Sequence, residues 1–369
     1  MSVNLDTRTV ESSLATEFYI SAVPIENMPL QEQGKDIFSD IRDTLYSKRA
    51  RILQERVFLT QNVMETVSRI RSKEYGDIND GVAPSFLVGA EGMPGPIAGV
   101  QVHAVCTDSS PEKIDSQGTS CGRILRIPGR TYLTLSQLSA AKSAQPTQQA
   151  RAMLEKAEST LKKFGADFLS VARTWMWLGD ILSWYGDFNR VRNKFFTERG
   201  VIGKPNRQSI PASTGIGLAP ADGADCAMDL IAVLEPADSI QYLSAVGKQH
   251  CALEYGSAFS RAARAITPAG ETVFVSGTAS IDAEGATTNI DDAQGQIKTT
   301  IENVRAVLRD MHAADKDVVQ VIAYCKTTEV EKIFNSFKSS LPWPWVTVIC
   351  DICRPDLLFE IEATAMPQS

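Results

Sequence analysis

One pattern is written three times along this chain: strand, amphipathic helix, strand, second helix, terminal strands. The repeat is clearest between the middle and last thirds, where residues 149–171 lie over 296–318 without a gap. Leu154 falls over Ile301, Glu155 over Glu302, Ala157 over Val304, Leu161 over Leu308 and Val171 over Val318. The shared apolar spacing of three and then four residues predicts a helix with one buried stripe. The runs that follow, 171–177 and 318–324, are rich in β-branched and aromatic residues and predict core strands. Val191, Asn193 and Phe195 over Ile333, Asn335 and Phe337 mark a second helix, and 226–233 and 358–365 close each unit. The first third follows the same order more faintly, with strands at 18–23 and 51–59 and helices at 36–45 and 63–72. Its end, 83–89 and then 97–105, echoes 211–217 and then 226–233. Such a period means repeated domains, not a solenoid. The polar stretch 107–118 and Pro236-Ala237-Asp238-Ser239 set the expected units at 1–118, 119–238 and 239–369.

With 369 residues, 43% hydrophobic and 22% charged, the chain has apolar material for two or three cores. A net charge of −7 argues against nucleic-acid and membrane-surface roles, which reward a basic face, so the expected partner is a small molecule. No apolar run approaches a membrane span and the first residues lack the pattern of a signal peptide. Seven scattered cysteines, an odd number, read as reduced thiols, and the expected location is the cytoplasm. A chain that repeats three times can imitate a trimer by itself, so a monomer is expected.

Several chemistries are set aside. The three histidines, His103, His250 and His312, have no ligand spacing against another His, Cys or carboxylate, which leaves zinc sites and Ser-His-Asp triads without support. No GxGxxG or GxxxxGK[ST] occurs, and no cofactor is expected. Cys350 and Cys353 match CxxC, but a redox pair needs the first sulfur at a helix N-terminus, whereas 346–353 reads as a strand. Cys350 reads as a small apolar filler.

Cys353 precedes the turn signal Arg354-Pro355-Asp356, and 357–365 reads as a strand, so the two segments are expected to form a hairpin. Centred between Asp356 and Leu357, that hairpin would set Cys353 opposite Glu360 with Cβ atoms ~5 Å apart. Glu360 lies among apolar neighbours, where a carboxylate is costly unless paired or used. Glu362 shares its strand face, and either acid could simply be solvated. Aligning Asp229 with Glu362 puts Ala227 where the last unit has Glu360, so the repeat itself requires no acid there.

The triplicated unit, with residues 272–279 including Gly277, then Gln296 and its helix, then the ending Glu360-Ile361-Glu362-Ala363, resembles the RidA/YjgF fold. Members are usually trimers with sites between subunits, which implies an α+β pseudo-trimer here. Over nearly its whole length the chain resembles the chorismatases (chorismate hydrolases), whose RidA-like architecture runs in one long chain. The segments that carry this are 207–217, 254–261 and Cys353 to Glu360. RidA imine hydrolases hold the substrate carboxylate with an arginine whose place in the last unit falls near Trp345-Val346. None is there, and in the middle unit the equivalent place holds Arg207.

The resemblance implies chorismate as substrate. Its two carboxylates call for arginine forks and polar donors, for which the candidates are Arg207 and Arg261, with Tyr255, the Ser213-Thr214-Gly215 backbone and Gly277 in support. Release of pyruvate requires protonation of the enolpyruvyl methylene, and Glu360, its pKa raised by desolvation, is the candidate acid. In similar chorismatases a cysteine at the position of Cys353 goes with 3-hydroxybenzoate, formed through an epoxide. A smaller residue goes with water attack and a dihydroxycyclohexadiene carboxylate. An imine deaminase and a noncatalytic binding protein stand as alternatives, the first opposed by the absent arginine, the second by the unit-specific Glu360.

Overall fold

The computed structural model describes the chain except residues 1, 26, 27, 91, 92, 94, 143, 204–208, 247, 248, 368 and 369, and the side chain of Tyr255. Arg207 and the Tyr255 side chain, both expected at the site, therefore lie outside the described residues.

The first unit comprises β1 (Val3–Glu11), β2 (Thr16–Pro24), α1 (Leu30–Lys48), β3 (Arg51–Leu59), α2 (Met64–Tyr75), β4 (Ser85–Val88) and β5 (Ile97–Cys106). The second comprises β6 (Glu112–Ser116), β7 (Thr119–Ile127), β8 (Arg130–Ser139), α3 (Pro146–Lys162), β9 (Val171–Leu178), α4 (Ile181–Glu198), β10 (Ala212–Ile216), β11 (Ala219–Pro220) and β12 (Cys226–Glu235). The third comprises β13 (Gln241–Leu243), β14 (Ala262–Ile266), β15 (Glu271–Ala279), α5 (Ala293–Asp310), β16 (Val318–Cys325), α6 (Thr328–Lys338), β17 (Trp345–Ile349) and β18 (Phe359–Ala365).

Among the described residues these strands form three six-stranded sheets, each with the same five-strand kernel: β1-β2-β5-β3-β4, β7-β8-β12-β9-β10 and β14-β15-β18-β16-β17. The α+β pseudo-trimer is thus the observed fold. Because β6 pairs with β7, Glu112–Ser116 belongs to the second sheet, and a boundary at 118 would cut it off. Polarity read that edge strand as linker, since its residues alternate with solvent. β11 in turn crosses over to pair with β4 of the first sheet.

Alternation along the strands builds the layers. In β9, Trp175 and Trp177 face a central core shared with Phe58 of the first unit and Tyr324 of the third. Met176 and Leu178 point the other way, into a core under α3 and α4. The first and third units have equivalent cores beneath their own helices. The helices form for the expected reason, one apolar stripe each: α5 buries Ile297, Ile301, Val304 and Leu308, and α3 buries Ala150, Leu154, Ala157 and Leu161. No helix among the described residues is long and apolar enough to cross a membrane.

Register confirms the alignment of the units. Ala227 pairs with Trp177 and Asp229 with Trp175, as Glu360 pairs with Tyr324 and Glu362 with Ile322. In the first unit Gly99 pairs with Phe58 and Gln101 with Arg56. Position by position, Glu362, Asp229 and Gln101 are equivalent, and so are Glu360, Ala227 and Gly99.

The equivalents of Glu362 join the units. Arg173 of the second unit meets Glu362 of the third at 3.0 Å, and Arg56 of the first meets Asp229 of the second at 3.2 Å. At the remaining junction Gln101 Nε2 donates to the Val321 carbonyl at 3.0 Å. Trp175 Nε1 also donates to Glu362 at 2.7 Å. Buried ions satisfied in this way fix the geometry between units, since loss of either partner leaves an uncompensated charge.

Candidate active site

Glu360 sits at the junction of the second and third units, two residues before Glu362 on the same face of β18. It is 4% exposed. No hydrogen bond or ion pair among the described residues engages its carboxyl group, in contrast to Glu362. Burial above all, and then the negative charge of Glu362, push its pKa up to about 8, while Arg173 and Arg354 pull the other way without prevailing. At neutral pH the group is mainly the uncharged acid.

Space for that acid comes from Gly277. A Cβ at 277 would overlap Oε1 of Glu360. Residues 276 and 277 lie in an irregularity of β15, between the pairs Val275↔Ala363 and Thr278↔Ile361. The Gly277 amide donates to Thr214 Oγ1 at 3.0 Å, and Arg173 donates to the same oxygen at 2.5 Å. The ion pair that joins the units therefore also holds the strand beside the acid.

Glu360 opens into a cleft lined by Gly277, Cys353, Arg261, Tyr185, Ser257 and Arg354 among others. Its free volume is about 50 Å³, below the ~300 Å³ at the small end of ligand clefts, so a ligand must displace side chains that line it. Burial, reinforced by Glu360, pushes the Cys353 thiol up to about 12, so it is a neutral S–H. Burial likewise pushes the Tyr185 phenol up to about 12. Arg261 is 2% exposed and donates to the His250 carbonyl from Nε and from a terminal nitrogen, at 3.2 and 2.7 Å. The Arg354 guanidinium donates to the Gly285 carbonyl.

Four expected residues, Glu360, Cys353, Arg261 and Gly277, thus meet in one cleft. The route by which Cys353 arrives is not the expected one. β17 ends at Ile349 and runs parallel to β16, while β18 pairs with β15 and β16, so Cys353 and Glu360 are not a hairpin pair. The turn residues carry the chain across β16, and Cys353 reaches the acid from the connecting loop. Two acceptable pairing partners for one short strand look alike in sequence.

Ser213, Thr214 and Gly215 stand behind the cleft rather than in its lining. The Ser213 amide donates to Ser276 Oγ at 2.8 Å, and its hydroxyl accepts from Thr174 at 2.9 Å. The open face of Gly215 is covered by the Tyr185 ring. Register also corrects one equivalence: Ser213 pairs with Thr174 as Trp345 pairs with Val321, so the counterpart of Trp345 is Ser213, not Arg207. Sequence reasoning missed Tyr185, Ser257 and Arg354. Arg354 was read for its turn alone, and Ser257 lay within the segment 254–261. Tyr185 carried no signal, because its role depends on Gly215 from a strand thirty residues on.

The family of L-PSP endoribonucleases (Endoribonuclease L-PSP) matches residues 252–367, the third unit. A chorismatase crystal structure superposes on 99% of this chain and 100% of its own with a TM-score of 0.60 at 16% identity, which defines the fold as that of a chorismatase. A 3-hydroxybenzoate synthase of Streptomyces hygroscopicus is 29% identical over 235 residues, which are 56% of this chain and 66% of the synthase. A RutC family protein of Pyrococcus abyssi is 30% identical over 100 residues, 26% of this chain and 79% of that protein. The chain belongs to the RutC family, and the resemblance to chorismatases read from its sequence is borne out.

Proposed function

We propose that this protein cleaves chorismate to 3-hydroxybenzoate and pyruvate, with Glu360 as general acid. The observation that carries this is an uncharged, buried carboxyl group facing a cleft between units, beside a neutral thiol and two guanidinium groups. Glu360 gives its proton to the enolpyruvyl methylene, placing positive charge at the ether carbon. The neighbouring ring hydroxyl then attacks the ring carbon that bears the ether, the C–O bond breaks, and pyruvate leaves. The hydroxyl proton returns to Glu360, and the resulting epoxide opens with loss of a ring proton to give the phenol. The atoms of chorismate are fully accounted for by the two products.

Arg261 and Arg354 are the described groups suited to the substrate carboxylates, while Arg207 and Tyr255 remain assigned to binding by resemblance. Cys353, uncharged and tight against the acid, fills the space from which water would otherwise attack, favouring the internal displacement. Similarity to the Streptomyces hygroscopicus synthase supports this branch. Incubation of the purified protein with chorismate, followed by a pyruvate assay and chromatography of the aromatic product, tests the reading. Folded protein that releases no pyruvate above background refutes it, and a diene diol as main product refutes the branch.

A further inference from the structure

The junction of the third and first units holds a second cavity, of about 270 Å³. It occupies the same place in the repeat as the cleft of Glu360. Thr347, which lines it, is the counterpart of Gly215, because Thr347 pairs with Ala323 as Gly215 pairs with Met176. Val23, also lining it, is level with Gly99 on the register that pairs Ala22 with Val100, as Ala279 is level with Glu360. Glycine at position 99 leaves the place that Glu360 holds in the third unit without a carboxyl group.

Its walls are nevertheless built for a charged ligand. Glu331, Asn335 and Lys338 fall on one stripe of α6, spaced four and then three apart, and all three line the cavity. Glu331 and Lys338 make no ion pair with each other or with another described residue. Burial pushes the Glu331 carboxyl up and the Lys338 ammonium down, and the attraction each exerts on the other does not offset it. Thr347, 8% exposed, has a buried hydroxyl with no hydrogen-bond partner. The opposite wall is apolar, from Val23, Pro24, Ile97 and Ala98.

We propose that this cavity is a second, noncatalytic binding site for a small zwitterion with an apolar tail, of the α-amino-acid type. Its ammonium group pairs with Glu331, its carboxylate with Lys338 and Thr347, and its side chain rests on the wall of the first unit. Such a ligand gives each of these half-buried groups an opposite charge in direct contact, which the two do not give each other.

Saturation-transfer NMR on the full chain, with each standard L-amino acid in turn as the probe, tests this. The expected result is binding of an apolar-chain amino acid with a Kd below about 1 mM. That binding should weaken at least ~10-fold in Lys338→Met and in Glu331→Gln, and persist in Glu360→Gln. Asn335→Ala, at an exposed position on the same stripe, should also weaken it and serves if either other variant fails to fold. Absence of binding by every probe overturns the proposal, as does binding unchanged in the α6 variants. Binding lost in Glu360→Gln assigns the ligand to the other cleft and overturns it equally.

Discussion

The junction between the second and third units and the junction between the first and second share a skeleton but differ in what stands beside it. Both are closed by a buried arginine and an acid, Arg173 with Glu362 and Arg56 with Asp229; the acids are at equivalent register, while Arg56 is level with Trp175 and not with Arg173. They differ two residues earlier, where one has Glu360 and the other Ala227. They differ again on the neighbouring strand, where Gly277 of one is Gln137 of the other. Gln137 takes a positive φ of 49°, donates its amide to Asp229 and accepts the Phe86 amide at 3.0 Å. Two side-chain changes thus distinguish the junctions, and one of them sets the Glu360 carboxyl against a cleft. The skeleton carries stability, and the departures from symmetry carry chemistry.

This division can be broken most forcefully at the skeleton. Asp229→Ala and Glu362→Ala should each cost roughly 3–5 kcal/mol, because each strands a buried arginine. Chemical denaturation measures both, and an unaffected Glu362→Ala protein would mean that the two junctions are not equivalent.

At the departure itself, Glu360→Gln should lower pyruvate release by ~100-fold or more while the fold persists. The wild-type rate should decline above pH 8 as the acid form is lost. The stability effect has the opposite direction. A carboxyl raised from 4.5 to about 8 on folding binds more protons in the native state, so its contribution to stability falls as pH rises through that window. Glu360→Gln should therefore match wild type below about pH 4.5 and become more stable, on the order of 4 kcal/mol, near pH 8. Thermal melts across that range decide it, and a gap that shrinks toward pH 8 would contradict a raised pKa.

Gly277→Ala pushes a methyl group into the place of the Glu360 carboxyl and should slow turnover roughly 10- to 100-fold. Gln137→Ala, at the equivalent place in the other junction, should leave turnover within about twofold. Equal effects in a steady-state assay would show that the glycine serves the strand and not the acid. The smallest change is expected from Cys353→Ala, which should shift the product ratio toward the diene diol about severalfold with total pyruvate little altered. An unchanged ratio by chromatography removes Cys353 from the branch decision.

Much of this architecture was legible beforehand, for a physical reason. Helix stripes such as Leu154, Ala157 and Leu161 are written in local spacing, and a repeat shows twice or three times what a single copy shows faintly. The strand β6 escaped because an edge strand alternates with water and reads as polar linker, and β1 carried no reading of its own. The hairpin expected at Arg354-Pro355-Asp356 failed because a turn signal says that the chain reverses, not which strand it then joins. Gly277 was placed near the site by resemblance, while the need for glycine became apparent from its contact with Glu360.

By itself, the sequence determined the three units, their order of elements and the presence of an acid in one unit where the others have none, since periodicity and substitution are properties of the chain alone. Only the tertiary structure decided which of the two acids on β18 is free to act. Arg173 and Trp175, almost two hundred residues away in sequence, claim Glu362, and no local pattern around Glu360 and Glu362 records that. Burial without a partner among the described residues then leaves Glu360 uncharged. That is a consequence of the desolvation and field of the packed units, which come into being when the three are assembled.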